Sequence, residues 1–381
     1  MKYIASESVT EGHPDKICDQ ISDGILDAVL EQDPSARVAI ETMVTPGLIH
    51  IGGELTTAAD YIDIPEVARE VMRKIGNSAS LGLPADSVAI IPTVSKQSTE
   101  IAEAVNARSD KQLGAGDQGM MFGYASNETI ELMPLPIALA HALSMKLTQV
   151  RKSGLLSYLR PDGKTQTVLE YANGKPVGIK NILISTQHAP SYEVVRIKND
   201  LMEHVVKPVL KQFEMSSMDF EFLVNPSGLF TVGGATADTG LTGRKIIQDA
   251  YGGSGKHGGG AFSGKDATKV DRSGAYAMRW VAKNIVAAGL ADRVETQVAY
   301  AIGRAEPVGF SVDTFGTGKV DDRNIEMAVA SAFDLRPQAI IEMLDLRKPI
   351  YSQTSVGGHF GKVQLTWEQT NMISDLKRAI R

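Results

Sequence analysis

Three short stretches put basic residues where helix geometry disfavours them. The first turn of a helix carries a partial positive charge, so a lysine or arginine there costs roughly 0.3 to 1 kcal/mol. Lys16 nevertheless follows His13 in the first turn of one predicted helix, and Arg244 and Lys245 follow a predicted cap at Thr242. Lys265 flanks a predicted cap at Asp266, with Lys269 and Arg272 close behind. Two of these starts adjoin glycine runs, which let backbone amides approach a ligand closely. For any one of these lysines a solvated surface charge is the simpler account, but three such starts together point to a multivalent anion between them. Asp15 and Asp271 lie near two of the starts. Each alone reads as a surface carboxylate satisfying a helix dipole. With a polyphosphate present they are the best placed ligands for Mg²⁺, which takes few carboxylates and keeps phosphate oxygens and waters.

The stretch Gly259 to Asp266, GGAFSGKD, has the spacing of a phosphate-binding P-loop but ends in Asp where a Ser or Thr hydroxyl should meet the metal. A P-loop kinase also needs a strand running into the loop, whereas the preceding IIQDAYGGSGKHG reads as a helix end and loop. Other chemistries are absent. There is no G-x-S-x-G, Cys18 is the only cysteine, and no two of the seven histidines are three to five residues apart. The reaction therefore needs no protein nucleophile, and any metal is a hard cation on oxygen.

The elements that position these residues follow from periodicity. Pro14 to Gln32 is an amphipathic helix, with Ile17, Cys18, Ile21, Ile25, Ala28 and Val29 on one face. Strands are expected at 37 to 44 and 48 to 55 around the Pro46-Gly47 turn, a helix at 65 to 75, and a buried strand at 87 to 95. The four glycines of 112 to 123 read as a mobile loop. A helix at 136 to 151 precedes a hairpin over 165 to 187, whose Asn173-Gly174 suits a type I′ turn. A helix near 192 to 212, strands FEFLV and LFTVGG, and two helices opened by the glycine-rich stretches complete the chain. This order describes an α+β protein of three similar layers. The 381 residues, 43% apolar and 22% charged, suit a folded multi-domain protein, and the net charge of −6 argues against nucleic-acid or anionic-membrane partners. The N-terminus lacks the apolar run of a secretory signal and no apolar stretch reaches the roughly 18 residues of a membrane span, so a cytoplasmic address is expected.

GHPDK (12 to 16), GAGDQGMMFGYA (114 to 125), DTGLTGRKI (238 to 246) and GGGAFSGKD (258 to 266) together resemble the signature blocks of the S-adenosylmethionine synthetase family. RPDGK (160 to 164), STQH (185 to 188) and GHFG (358 to 361) extend the likeness over nearly the whole chain. The resemblance implies three similar α+β domains with pseudo-threefold symmetry, at 1–100, 112–231 and 232–381, with N-terminal segments exchanged between them. It implies synthesis of S-adenosylmethionine from ATP and L-methionine, followed by hydrolysis of the bound tripolyphosphate. Two Mg²⁺ and a K⁺ per site are implied, in a homodimer with shared active sites that in many members pairs into a homotetramer. A non-catalytic nucleotide-binding module is the alternative.

Carried over position by position, the resemblance places His13 as hydrogen-bond donor at the leaving oxygen, and Asp238, Arg244 and Lys265 with it as catalytic residues. ATP contacts fall on Asp162, Lys164, Phe230, Asp238, Arg244, Lys245, Ala261 and Lys265. Methionine contacts fall on Glu54, Gln97, Asp238 and Lys269, with Asp15 and Asp271 on Mg²⁺ and Glu41 on K⁺. Gly114, Asp117 and Gly119 belong to a loop that gates the site. Without the resemblance, Glu41 and Glu54 read as solvated carboxylates at strand edges. One stretch departs from the family pattern: GLFTVGGATAD carries Leu229, Ala235 and Ala237 where the family has arginine, proline and glycine. Leu229 cannot supply the family's ATP-contacting charge, which puts ATP affinity in question.

Overall fold

A computed structural model describes residues 2–96 and 113–380. Three sheets carry the architecture. The first has the order β1 (Lys2–Val9), β6 (Leu159–Ala172), β7 (Lys175–His188), β8 (Glu221–Val224). The second runs β4 (Ala89–Ser95), β3 (Leu48–Thr56), β2 (Arg37–Thr45), β9 (Gly240–Leu241), and the third β11 (Gly309–Asp313), β10 (Arg293–Tyr300), β5 (Gly119–Ser126). One long helix covers each sheet: α1 (Pro14–Gln32) the second, α3 (Leu135–Lys152) the first and α7 (Val270–Ala287) the third. This is the α+β arrangement of three similar layers that the element order predicts. Each sheet also borrows a strand from a distant stretch of chain, since β1 joins β6–β8, β9 joins β2–β4, and β5 joins β10 and β11.

Strand alternation sets the inner and outer faces. In β2, Val38, Ile40, Thr42 and Val44 are buried while Glu41 and Met43 face out. Burial gathers the apolar side chains into two cores, one under α1 and α7 together and a second between the first sheet, α3 and the α4 (Val194–Leu201) to α5 (Lys207–Gln212) segment. The remaining α-helices among the described residues are α2 (Ile64–Ile75), α6 (Ile246–Asp249), α8 (Asp322–Ala332), α9 (Pro337–Met343) and α10 (Ile373–Ile380).

Several boundaries match expectation: α1 spans the residues predicted, and Asn173 and Gly174 turn the β6–β7 hairpin at φ 51° and 77°. Others do not. The apolar run of β4 is an exposed edge strand parallel to β3, not a buried one. LFTVGG is not a strand, because the His188 ring takes a partner strand's place: Nε2 accepts from Phe230 N–H at 3.2 Å while Phe230 O accepts from His188 N–H at 2.9 Å. Residues 119–123, expected in a mobile loop, form part of β5, which pairs antiparallel along β10 from Gly119 opposite Tyr300 to Ser126 opposite Arg293. The helix expected near 192 to 212 is divided by a π turn at Met202–Val206. The helix expected after Thr242 is a single turn beginning at Ile246, and Thr242 caps nothing; its hydroxyl meets Ser22 Oγ at 2.8 Å and accepts from Thr42 N–H at 2.9 Å.

Candidate active site

Pro14 at the first position and His13 as cap start α1. The Asp15 N–H donates to His13 Nδ1 at 3.2 Å, which leaves the ring proton on Nε2. Burial, then the charges of Lys245 and Lys164, push the His13 pKa down to about 3. The imidazole is therefore neutral at physiological pH and presents an Nε2–H donor.

Next to it, Asp15 Oδ1 accepts from Leu241 N–H at 3.0 Å and Oδ2 from Lys245 Nζ at 2.6 Å, with Arg244 Nη1 3.9 Å away. Burial alone would raise this carboxyl, but the bonds from Lys245 and the Leu241 N–H, with the lysine's charge, hold it below the usual range. Lys164 comes from β6, which runs antiparallel to β1 so that Val9 lies opposite Lys164. Two residues before it, Asp162 Oδ2 accepts from Gly234 N–H at 2.8 Å and ties the 229–238 segment, which carries Phe230 and Asp238, to β6. Burial raises Asp162 to about 6. The structure thus gathers His13, Asp15, Asp162, Lys164, Asp238, Arg244 and Lys245 around one helix start.

The second group surrounds the start of α7. Lys265 Nζ donates to Asp271 Oδ2 at 2.6 Å, and Lys265 forms an isolated bridge with Ala39 of β2. Lys269, the residue capping α7, is paired with Asp266. Asp266 is thus not the helix cap expected of it. The helix starts four residues later, and Asp266 instead closes a turn, accepting from Thr268 N–H at 2.9 Å and Val38 N–H at 2.7 Å. The glycine-rich approach is irregular and no strand runs into it, which removes the P-loop reading. Its glycines answer to packing: Gly264 sits at φ 79° against the Ile40 carbonyl, and a side chain at Gly260 would strike Asp271. A side chain at Gly243 would likewise strike Ala261, so the loops bearing Lys245 and Lys265 are in contact. Gly119 opens β5 beside Asp271 Oδ1, Ala115 pairs with Arg304, and Asp117 accepts from Gln118 N–H at 2.7 Å.

Some expected residues lie apart. Lys16 does not face an anion site: it is fully buried, 3.0 Å from Asp19 and bonded to Asp249, which raise its pKa against the effect of burial. Glu41 and Glu54 are exposed on β2 and β3, with Glu54 opposite Ala39 in the register. Gln97 lies outside the described residues. Among the described residues no three His, Cys, Asp or Glu cluster to hold a metal. Asp19 and Asp23 escaped the sequence reading, although their spacing from Asp15 by four and eight residues was a visible signal.

Comparison with known proteins addresses the whole chain. Residues 1–99 match the family model for the S-adenosylmethionine synthetase N-terminal domain, 112–230 that for the central domain and 232–369 that for the C-terminal domain. An S-adenosylmethionine synthase of Clostridium tetani (strain Massachusetts / E88) is 54% identical over 391 residues, covering 100% of both chains.

Proposed function

The chain belongs to the S-adenosylmethionine synthetase family, and from that premise we propose how its residues divide the work. The reaction joins ATP and L-methionine into S-adenosylmethionine: the methionine sulfur attacks C5′ of ATP, and the tripolyphosphate released is hydrolysed to phosphate and diphosphate. A thioether has no proton to lose, so the step needs alignment of sulfur, carbon and leaving oxygen rather than a general base. The demand falls on the leaving triphosphate, which must be met by preorganised positive charge and hydrogen-bond donors.

The observation that carries the assignment is His13: neutral, buried, and with its only proton on Nε2 amid Lys164, Lys245 and Arg244. In our reading His13 donates to the departing oxygen, and Lys164, Arg244, Lys245 and Lys265 receive the triphosphate. Lys245 and Lys265 are held against Asp15 and Asp271, and the arriving phosphates take over the lysines and free both carboxylates. Isolated carboxylates suit Mg²⁺, which draws its other ligands from phosphate and water. Asp15 and Asp271 would each hold one of two Mg²⁺, and the exposed Glu41 a K⁺. Mg²⁺ held there would neutralise the triphosphate and favour its departure and hydrolysis. Phe230 packs against the adenine and the Ala261 backbone contacts ATP, while Glu54, Gln97, Asp238 and Lys269 contact methionine. Asp117, between Gly114 and Gly119, lies in the segment that gates the site.

Each chain presents these residues as two groups, one at the α1 start and one at the α7 start. A homodimer sharing its sites is our reading, supported by exposed apolar side chains on the outer face of the second sheet: Met43 opposite Leu241, and Ile91. Pairing of two dimers, domains at 1–100, 112–231 and 232–381, and a cytoplasmic location complete the proposal. No helix among the described residues is long and apolar enough to cross a membrane. Incubation with ATP, methionine, Mg²⁺ and K⁺ should yield S-adenosylmethionine; ATP binding without product would favour a nucleotide-binding module instead.

A further inference from the structure

Aspartates recur at every fourth position along α1: Asp15, Asp19, Asp23 and Asp27. At 3.6 residues per turn they form one ridge, and like charges spaced by four are mutually destabilising, so the ridge needs a reason. Each rung accepts a backbone N–H from a distant segment. Asp15 Oδ1 takes Leu241 N–H at 3.0 Å, Asp19 Oδ1 takes Gly243 N–H at 2.9 Å, and Asp23 Oδ1 takes Gly264 N–H at 2.8 Å. Asp27 takes Tyr351 and Ser352 N–H at 2.9 and 2.7 Å. Cations from α1 and α7 neutralise the inner rungs. Lys16 lies 3.0 Å from Asp19, and Arg272 grips Asp23 with two nitrogens at 2.7 and 3.1 Å.

The segments held are not arbitrary. Gly243 immediately precedes Arg244 and Lys245, and Gly264 immediately precedes Lys265. We propose that Asp19 and Asp23 are positioning residues: from the buried face of α1 they fix the two loops whose cations receive the triphosphate, setting both in register with His13 at the helix start. The inference rests on the phosphate-binding reading of those cations. Carboxylate acceptors suit the task, since a charge-assisted bond is about twice as strong as a neutral one and a 1 Å displacement of a positioned group costs about 10²-fold in rate. Asp27 provides an internal control, because it makes the same kind of bond to a segment carrying no candidate site residue.

The test compares Asp19→Ala, Asp19→Asn and Asp27→Ala in steady-state synthesis and thermal melting. Asp19→Ala leaves Lys16 its Asp249 partner, and should lower kcat by about 100-fold with the methionine KM within about twofold. Asp19→Asn keeps an oxygen for Gly243 N–H and should recover to within about fivefold of wild type. Asp27→Ala should lower the melting temperature and keep kcat within about twofold. Equal kcat losses in Asp19→Ala and Asp27→Ala, or an Asp19→Ala kcat within twofold of wild type, overturn the inference. Should Asp19→Ala not fold, Asp19→Asn decides alone: near-wild-type kcat supports the role of the oxygen, and a loss as large as 100-fold overturns it. Wild-type protein that makes no S-adenosylmethionine overturns the functional reading beneath, whereas active wild type with an unaffected Asp19→Ala overturns this inference only.

Discussion

Two populations of ion pair divide this molecule. At the starts of α1 and α7, Lys245 with Asp15 and Lys265 with Asp271 form pairs whose lysines keep part of their surface open to solvent. In the interior, Arg272 with Asp23 and Arg279 with Glu368 are closed off completely, and Lys283 adds a second cation to Glu368. Both populations join a basic side chain to a carboxylate at similar distances. What separates them is the alternative each charge has on leaving its partner. An interior cation that loses its carboxylate is stranded in a medium that cannot solvate it, whereas a cation at the mouth can exchange one anion for another at little cost. The interior pairs hold the scaffold, and on the proposed reading the mouth pairs keep a polyphosphate site assembled before its ligand arrives.

The largest test of this division is Glu368→Gln. Glu368 accepts from Arg279 at 2.9 Å through each oxygen, from Lys283 at 2.8 Å and from Gly361 N–H at 2.8 Å. Neutralising it leaves two buried cations without a counter-charge and should cost about 3 to 5 kcal/mol in urea unfolding, with kcat of the folded enzyme within about twofold. Lys265→Ala should do the reverse. The melting temperature should stay near that of the parent, because a partly exposed pair contributes at most about 1 kcal/mol. Turnover should fall about 10²- to 10³-fold, far more than methionine affinity changes, if as proposed the charge acts on the departing triphosphate. If Lys265→Ala unfolds the protein or Glu368→Gln abolishes turnover, the division fails.

The same division explains what could be read in the sequence. The bounds of α1 and the hairpin turn at Asn173-Gly174 were legible because both are set locally, by apolar spacing and by backbone conformation. Lys245 and Lys265 stood out because a lysine expected in a helix's first turn violates a local rule, although Lys245 only precedes a single turn and Lys265 lies five residues before α7. Lys16 violates that rule too, and was misread. Its partner Asp249 is 233 residues away, and no local pattern distinguishes a lysine waiting for phosphate from one already matched across the fold. The strand at β4 failed in the opposite direction: an apolar run announces burial without saying whether this chain or a second copy provides it. LFTVGG failed because the His188 ring, 42 residues away, takes the place of a strand partner. Locally determined features were readable, and features completed by long-range partners were not.

Asp162 tests a group that falls between the two populations, being buried like the interior pairs and placed beside the candidate site. Burial raises its pKa to about 6 from an ordinary 3.8. The folded state therefore holds the proton more tightly than the unfolded chain. Its contribution to stability is fully present below pH 4 and is lost as the pH rises through 6, at most about 3 kcal/mol for a shift of this size. Asp162→Asn removes the titration while keeping an oxygen for Gly234 N–H. The melting temperature of the variant relative to wild type should rise between pH 4 and pH 7 and level off above. A difference that is flat across that window would show that Asp162 is ionised throughout and belongs with the charged mouth.

The smallest effect sharpens the comparison at its outer limit, at an exposed and uncharged position beside the candidate site. Leu229 is 66% exposed, one residue before Phe230 in the segment that the His188 ring and Asp162 hold in place. The backbone there is fixed by groups that do not involve the Leu229 side chain, so Leu229→Arg should leave the fold and the melting temperature unchanged. An arginine at so exposed a position has no desolvation cost to overcome, and its attraction to a phosphate is screened. The gain is that of a surface ion pair, up to about 1 kcal/mol, or a two- to fivefold lower KM for ATP with kcat little altered. The effect should shrink as salt is raised from 0.05 to about 0.5 M, because screening acts on exposed charges first. An unchanged KM at low salt would mean that the 229–238 segment does not reach the triphosphate, leaving its reception to Lys164, Arg244, Lys245 and Lys265.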